Sequence, residues 1–266
     1  MTALRAELFR LLHDRWALFW GFVFFPLIYL MFVTALDLAP LTGRGFSDVV
    51  VDMPLRSAWA ASTGGNPIMH LFAAAGAAAI FGGEYRFATW RLIGPRAPRS
   101  AILATKYASF ATAAAASLIV MVLGVLAVGG IMMVADSVKI GHGLSLGGFA
   151  IVFLVSLLEL LVIGSQAALL IVLTRAPLAG VLPPFLFSLG QVAALAWLDQ
   201  PPGPSAMLAL PAYAGDLVRR WALGAEGNAM PQGDAVVLAF LSLIAWYVLL
   251  NAATWFMLRR QDWSRE

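Results

Sequence analysis

The chain has 266 residues, 61% of them apolar and 12% charged, with a formal net charge of +3 and a mean hydropathy of +0.86. Soluble domains carry roughly a quarter charged residues, so this composition excludes a soluble globular protein. It points instead to an all-α, polytopic membrane protein forming a single transmembrane domain over 1–266, since apolar runs of about 20 residues recur along it. There is no cysteine, which removes disulfides, thiolate metal sites and cysteine nucleophiles together. The basic residues cluster beside apolar runs, so the positive balance reads as a topology signal and not as a nucleic-acid footprint.

In chain order, residues 1–15 read as an amphipathic helix lying on the membrane. Leu4, Leu8, Leu11 and Leu12 take one face and Arg5, Glu7, Arg10 and Asp14 the other, with Arg10 and Asp14 one turn apart and able to pair. The alternative is a frayed start to the first span. Residues 1–35 imitate a signal peptide, with Val33-Thr34-Ala35 as a cleavage-like site, but the apolar run is too long and too aromatic, so an uncleaved span is preferred. Span 1 covers about 16–36, and Pro26 within it needs a neighbouring helix to satisfy the carbonyl it frees. Residues 37–66 read as a polar excursion. Span 2, about 67–83, has a core of alanines and one glycine over 73–79 with almost no side-chain bulk. Small residues serve close helix approach in lipid, so this span either packs tightly or lines a cavity, with Ala75 and Ala79 as candidate pathway or dimer-seam positions.

Residues 84–106 interrupt the apolar pattern with Arg86, Arg91, Arg96, Arg99 and Lys106, five of the 17 basic residues. Span 3 follows at about 107–135, with Ser100 as a plausible N-cap and a length that implies tilt or extension beyond the bilayer. A loop over 136–147 leads to span 4 at about 148–174, and a tight Arg175-Ala176-Pro177 connection to span 5 at about 179–198. Residues 199–234 form the largest polar excursion. Within it Leu210, Tyr213, Leu217 and Trp221 oppose Asp216, Arg219 and Arg220, which reads as one or two short helices lying at the interface or dipping into it. Span 6, about 235–258, ends at Arg259-Arg260. Six spans place both termini on one side. Assigning that side as cytoplasmic leaves Arg44, Arg56, Lys139, Arg219 and Arg220 outside, so 12 of the 17 basic residues are inside. No period of 20–50 residues repeats.

Glu159 is the one acidic residue deep in a span, where a charge costs on the order of 3 kcal/mol on insertion scales. Ser156, Ser165 and Gln166 accompany it on span 4. This polar stripe is either a translocation surface or subunit contact, or a protonated carboxyl hydrogen-bonded between helices. His70 stands alone without the ligand count of a metal site, and the ten methionines read as packing. Protease, hydrolase and two-metal signatures are missing. Lys106 and Lys139 are the only lysines and neither follows a glycine, so there is no P-loop. The chain is expected to be no enzyme itself, to hold no cofactor of its own, and to draw any ATP energy from another polypeptide.

Glu84-Tyr85-Arg86-Phe87-Ala88-Thr89, Leu92-Ile93-Gly94-Pro95, Pro98-Arg99 and Ala104-Thr105-Lys106 together resemble the pattern of ABC-2 type transporter permeases. The departure is Ala88, where that family usually has Gly. The six-span layout, the N-terminal amphipathic helix and the segment around Leu210-Pro211, which resembles a Pro-containing re-entrant region, extend the resemblance more loosely over the chain. The resemblance implies a coupling helix near 84–99 that docks on a cognate nucleotide-binding ATPase subunit, with ATP and Mg bound by that partner. It also implies a dimer with a second permease copy or paralogue, alternating access, export, and a place in a cell membrane such as a bacterial inner membrane with both termini cytoplasmic. Glu84, Arg86, Thr89, Arg91, Pro95 and Arg99 are then the coupling residues, and Glu159, Gln166, Ala75 and Ala79 the pathway or dimer seam. The arginines alternatively enforce topology or meet anionic membrane lipids. Two other functions stay open: an ion- or proton-coupled carrier using Glu159, and a non-transporting membrane anchor of a complex.

Overall fold

A computed structural model describes residues 3–38, 50–86, 98–136, 139–141, 144–197, 206, 209–224 and 233–261. Among them are six helical stretches long and apolar enough to cross a membrane: Arg15–Leu36, Pro67–Arg86, Arg99–Met133, Leu146–Thr174, Pro177–Ala196 and Gly233–Arg260. The architecture is that of an all-α polytopic protein, apart from one short parallel ladder between β1 (Val50–Asp52) and β2 (Lys139–Gly141).

Span 1 joins α2 (Arg15–Leu18), a π-helical turn over Phe19–Val23, and α3 (Phe24–Leu38), and is preceded by α1 (Ala3–His13). Asp14 separates α1 from α2 and caps the latter, its carboxylate accepting from the Ala17 N–H at 3.0 Å. Arg10 is recorded in ion pairs with Glu7 and Glu84, so the expected Arg10–Asp14 pair gives way to this cap. Pro26 deprives the Phe22 carbonyl of its usual intrahelical donor. The Ser117 hydroxyl donates to that carbonyl from the neighbouring helix at 2.8 Å, as a proline inside a membrane helix requires.

The remaining helices are α4 (Met53–Ser62), α5 (Pro67–Arg86), α6 (Arg99–Asp136), α7 (Leu146–Thr174), α8 (Leu182–Ala196), α9 (Pro211–Leu223) and α10 (Gly233–Arg260). Local chemistry sets their ends. Asp52 and Ser145 cap α4 and α7 by accepting from the Leu55 N–H at 2.9 Å and the Gly148 N–H at 3.0 Å. Gly224 closes α9 in the left-handed conformation at φ 64°. Ser100 lies inside α6, which begins at Arg99, two residues earlier than a cap at that serine allows.

Arg10, Glu84, Arg99, Lys106, Arg259 and Gln261 gather at one end of the bundle, the near end, through the contacts given below. The start of α4, the ladder and the C-terminus of α9 lie at the far end. Span 2 is the inner helix: 61% of its most apolar window is buried, against 22% for spans 1, 5 and 6. It accepts neighbours at close range because it has so little bulk. Gly76 faces Gly21 of span 1, and a Cβ on Gly21 would lie 2.6 Å from the Gly76 Cα. Around this helix the fully buried Phe110, Leu118 and Met121 of α6 pack with Leu160 and Ile171 of α7.

Two helices enter from the far end and stop partway. The first, α4, falls within the expected polar excursion. It runs down α6, with Met53 against Gly129 and the Thr63 hydroxyl 3.7 Å from the Met121 sulfur. Its buried residues are Ser57, Ala58, Ala60 and Ala61, small enough to fit against α6 and α7 yet too weakly apolar to register as a span. The second, α9, runs antiparallel to α7. The Ala222 carbonyl lies against Gly148 and Gly215 against the Glu159 carboxylate, so α9 follows α7 for about 10 Å, seven residues at 1.5 Å each.

Gly76→Ala places a Cβ on the Phe22 ring. The substitution is expected to cost about 1–3 kcal/mol and to lower the melting temperature of the detergent-solubilised protein. Gly190→Ala, which meets no atom within 4 Å, serves as the control and is expected to leave that temperature equal or higher.

Candidate functional site

The first charged constellation lies at the near end, where the chain leaves α5 and enters α6. Glu84 sits in the last turns of α5 and Lys106 in the second turn of α6; they are 0% and 1% exposed. The Lys106 ammonium donates to both Glu84 oxygens at 2.7 Å, and Arg10 of α1 reaches the same carboxylate at 2.5 Å. Glu7 completes the group, 2.9 Å from Arg10 and 3.5 Å from Lys106. Two acids balance two bases, which makes burial tolerable where a lone ion would cost several kcal/mol.

Backbone geometry supports this cluster. The Ile80 carbonyl accepts from both Arg10, at 3.0 Å, and Lys106. Gly82 and Gly83 leave room beside it, the former for the Pro177 ring and the latter for the Arg10 guanidinium. Thus α1 is fastened to spans 2 and 3. Glu7 and Arg10, placed on the outer polar face of α1 by sequence periodicity, point inward together with buried Leu11, while Phe9 and Leu12 are exposed.

The other coupling candidates separate. Arg86 is exposed at the last residue of α5. Arg99 donates to the Leu258 and Arg259 carbonyls at 3.0 and 2.6 Å, placing a cation on the C-terminus of α10, where the helix dipole favours it. Beside it, the Tyr85 hydroxyl donates to the Gln261 side-chain carbonyl at 2.7 Å, and the Gln261 amide donates to the Val172 carbonyl at 2.5 Å. Thr89, Arg91 and Pro95 lie outside the described residues. The described residues on either side of them are fixed, Glu84 before and Arg99 and Lys106 after.

The second constellation lies in the body of the bundle. Glu159 of α7 is paired with Arg219 of α9. Glycines wall the pair: a Cβ at Gly215 would fall on the Glu159 carboxylate, and one at Gly65 on the Arg219 guanidinium. Glu159 Oε1 and the Ser156 hydroxyl, one turn away, are buried without a hydrogen-bond partner. An acceptor left in that state costs about 1–3 kcal/mol relative to one that is bonded. Next to them, the His70 ring bridges the Ser188 hydroxyl at 2.6 Å and the Gly64 carbonyl at 2.8 Å. The Ala212 N–H, an orphan donor at the start of α9, is satisfied by the Gln191 side-chain carbonyl at 2.9 Å.

Gln166 is buried on α7, with its side-chain carbonyl unpartnered. Neighbouring Ser165 accepts from the Asn251 amide of α10 at 3.0 Å. Ala75 and Ala79 are half-buried on the side of α5 that carries Phe72, whose ring packs on Phe24 and Phe25 of span 1. They face away from His70, and the structure does not bring them to Glu159. Sequence reasoning missed Arg219 as the partner of Glu159. The available signal was the rule that an intramembrane acid needs a cation, applied to the amphipathic helix that carries Arg219 four residues after Gly215.

Among the described residues no three His, Asp or Glu side chains gather to hold a metal ion. No family model matches the chain, and no curated protein matches it.

Glu84→Gln or Lys106→Met alone leaves the buried four-group cluster with one uncompensated charge and is expected to destabilise the protein by about 3–5 kcal/mol. The double variant Glu84→Gln/Lys106→Met keeps the Glu7–Arg10 pair and should recover most of that loss. A double-mutant cycle on thermal unfolding in detergent measures the coupling.

Proposed function

We propose that the chain is the membrane-spanning subunit of an ATP-binding cassette exporter, driven by a separate P-loop ATPase and working as a dimer with a second permease subunit. The observation that carries this reading is the Glu84–Lys106 pair. Both residues belong to the stretch that resembles ABC-2 permeases, and they bracket the segment to which that resemblance gives the docking role. The described residues on either side of that segment are tied to α1 and to one another, so a push delivered between them passes into spans 2 and 3. In this reading Glu84 and Arg99 act by positioning the segment, while Arg86 and Arg91 are the residues that meet acidic groups of the ATPase. The near end then faces the cytoplasm, in keeping with its excess of arginine.

A second reading, an ion- or proton-coupled carrier, draws on the buried Glu159. Transport in reconstituted vesicles that persists without any ATPase and collapses in Glu159→Gln would favour it.

The chain contains no cysteine, so Arg91→Cys provides a unique attachment point for a photo-crosslinker. Crosslinking in native membranes is expected to capture a polypeptide that carries a P-loop, identified by mass spectrometry. In the reconstituted complex Arg91→Glu should lower substrate-stimulated ATP hydrolysis at least fivefold without changing the amount of inserted protein. No P-loop protein among the crosslinked products, together with unchanged hydrolysis, removes the reading.

A further inference from the structure

Resting on the transport reading, we infer that the Glu159–Arg219 pair is a lock that seals the far half of the transport route. It holds the half-helix α9 against α7 and against the turn over 63–65, and its opening exposes the buried face of α9 to water as the substrate's exit.

Three observations carry this. The first is topological. Both α4 and α9 enter from the far end and stop partway, so the turn after α4 and the body of α9 meet at the level of Glu159. Elements that only partly cross can withdraw without unthreading a span. The second is the fit. Gly65 and Gly215 lie so close to the ion pair that a Cβ at either position would displace the charged groups themselves, so the seal depends on the charges and backbone meeting directly. The third is a mismatch in polar satisfaction. Glu159 Oε1 and the Ser156 hydroxyl have no partner in the closed arrangement, and water can reach them once α9 moves away. Ala214, Leu217 and Val218 of α9, packed with Val155, Val236 and Leu243, favour the closed form. The two tendencies oppose one another: the apolar packing keeps the closed form the major one, and the unsatisfied oxygens lower the cost of a minor open one.

The hinge is also identifiable. The deep end of α9 starts at Pro211, and the Gln191 side chain holds the Ala212 N–H there. His70 fastens Gly64 to Ser188 of α8, so the Gly65 wall stays in place. Movement of α9 therefore pivots about Leu210-Pro211 and swings the Arg219 turn outward.

The absence of native cysteine allows a direct test. Val218→Cys, on the buried face of α9, is reacted with a membrane-impermeant maleimide in proteoliposomes, and Leu118→Cys, fully buried on α6, is the control. Labelling at 218 should be slow in the parent and at least tenfold faster when Glu159→Gln or Arg219→Gln is added. Gly215→Ala, which keeps both charges but places a methyl group on the carboxylate, should accelerate it as well. The control cysteine should stay unreactive throughout. Fast labelling at 218 in the parent overturns the lock, as do unchanged rates in all three variants or a parallel rise at 118. The assay uses neither ATP nor substrate. Its failure therefore leaves the exporter reading standing, and failure to capture a P-loop partner leaves the lock standing.

Discussion

A charge withdrawn from water must be met by its opposite, and in this chain that requirement joins helices that have little else to hold them in register. Lipid supplies no hydrophobic drive for one apolar helix to prefer another. The Glu84–Lys106 pair and the Glu159–Arg219 pair do supply a preference, because either partner alone would be costly. The first fixes how α1, span 2 and span 3 meet at the near end. The second fixes how deep α9 enters from the far end. Between the two, packing is set by the absence of bulk, with glycine and alanine at the crossings of span 2.

The same economy of volume shapes the half-helices. Continuous backbone hydrogen bonding is obligatory in hydrocarbon, and broken helices persist only where protein covers them. Here α4 is covered by α6 and α7, and α9 by α7 and α10, with glycines at 64, 65, 148 and 215 at the points of closest approach. The unpartnered oxygens of Ser156 and Glu159 on α7 mark where that coverage leaves polar groups unsatisfied.

The six spans were legible in the sequence because bulk hydropathy over 20 residues is a strong signal. So was the demand made by Pro26, though not that Ser117 would answer it. The helix α4 was not legible, since its alanines and serines read as a polar excursion when averaged with Asp48, Asp52 and Arg56. Periodicity gave α1 its two faces but could not tell that Glu7 and Arg10 turn toward the buried Lys106 and Glu84, because charge on a helix ordinarily faces water. Glu84, Arg99 and Glu159 were named from the sequence, but their partners were not, since pairing across 22 to 160 residues leaves no local trace.

The length of α6 has a mechanical consequence. Thirty-eight residues make a rod of about 57 Å, well beyond a hydrocarbon layer of roughly 30 Å. Its near tip is riveted to α10 through Arg99, Lys106 is a fastening about 10 Å along it, and Gly129 and Met132 near the other tip hold Met53 and Arg56 of α4. Such a rod is a lever about its buried middle: a sideways displacement at one tip reappears with opposite sense at the other. Whatever moves the near end of span 3 thereby moves the helix that leads into the 63–65 turn.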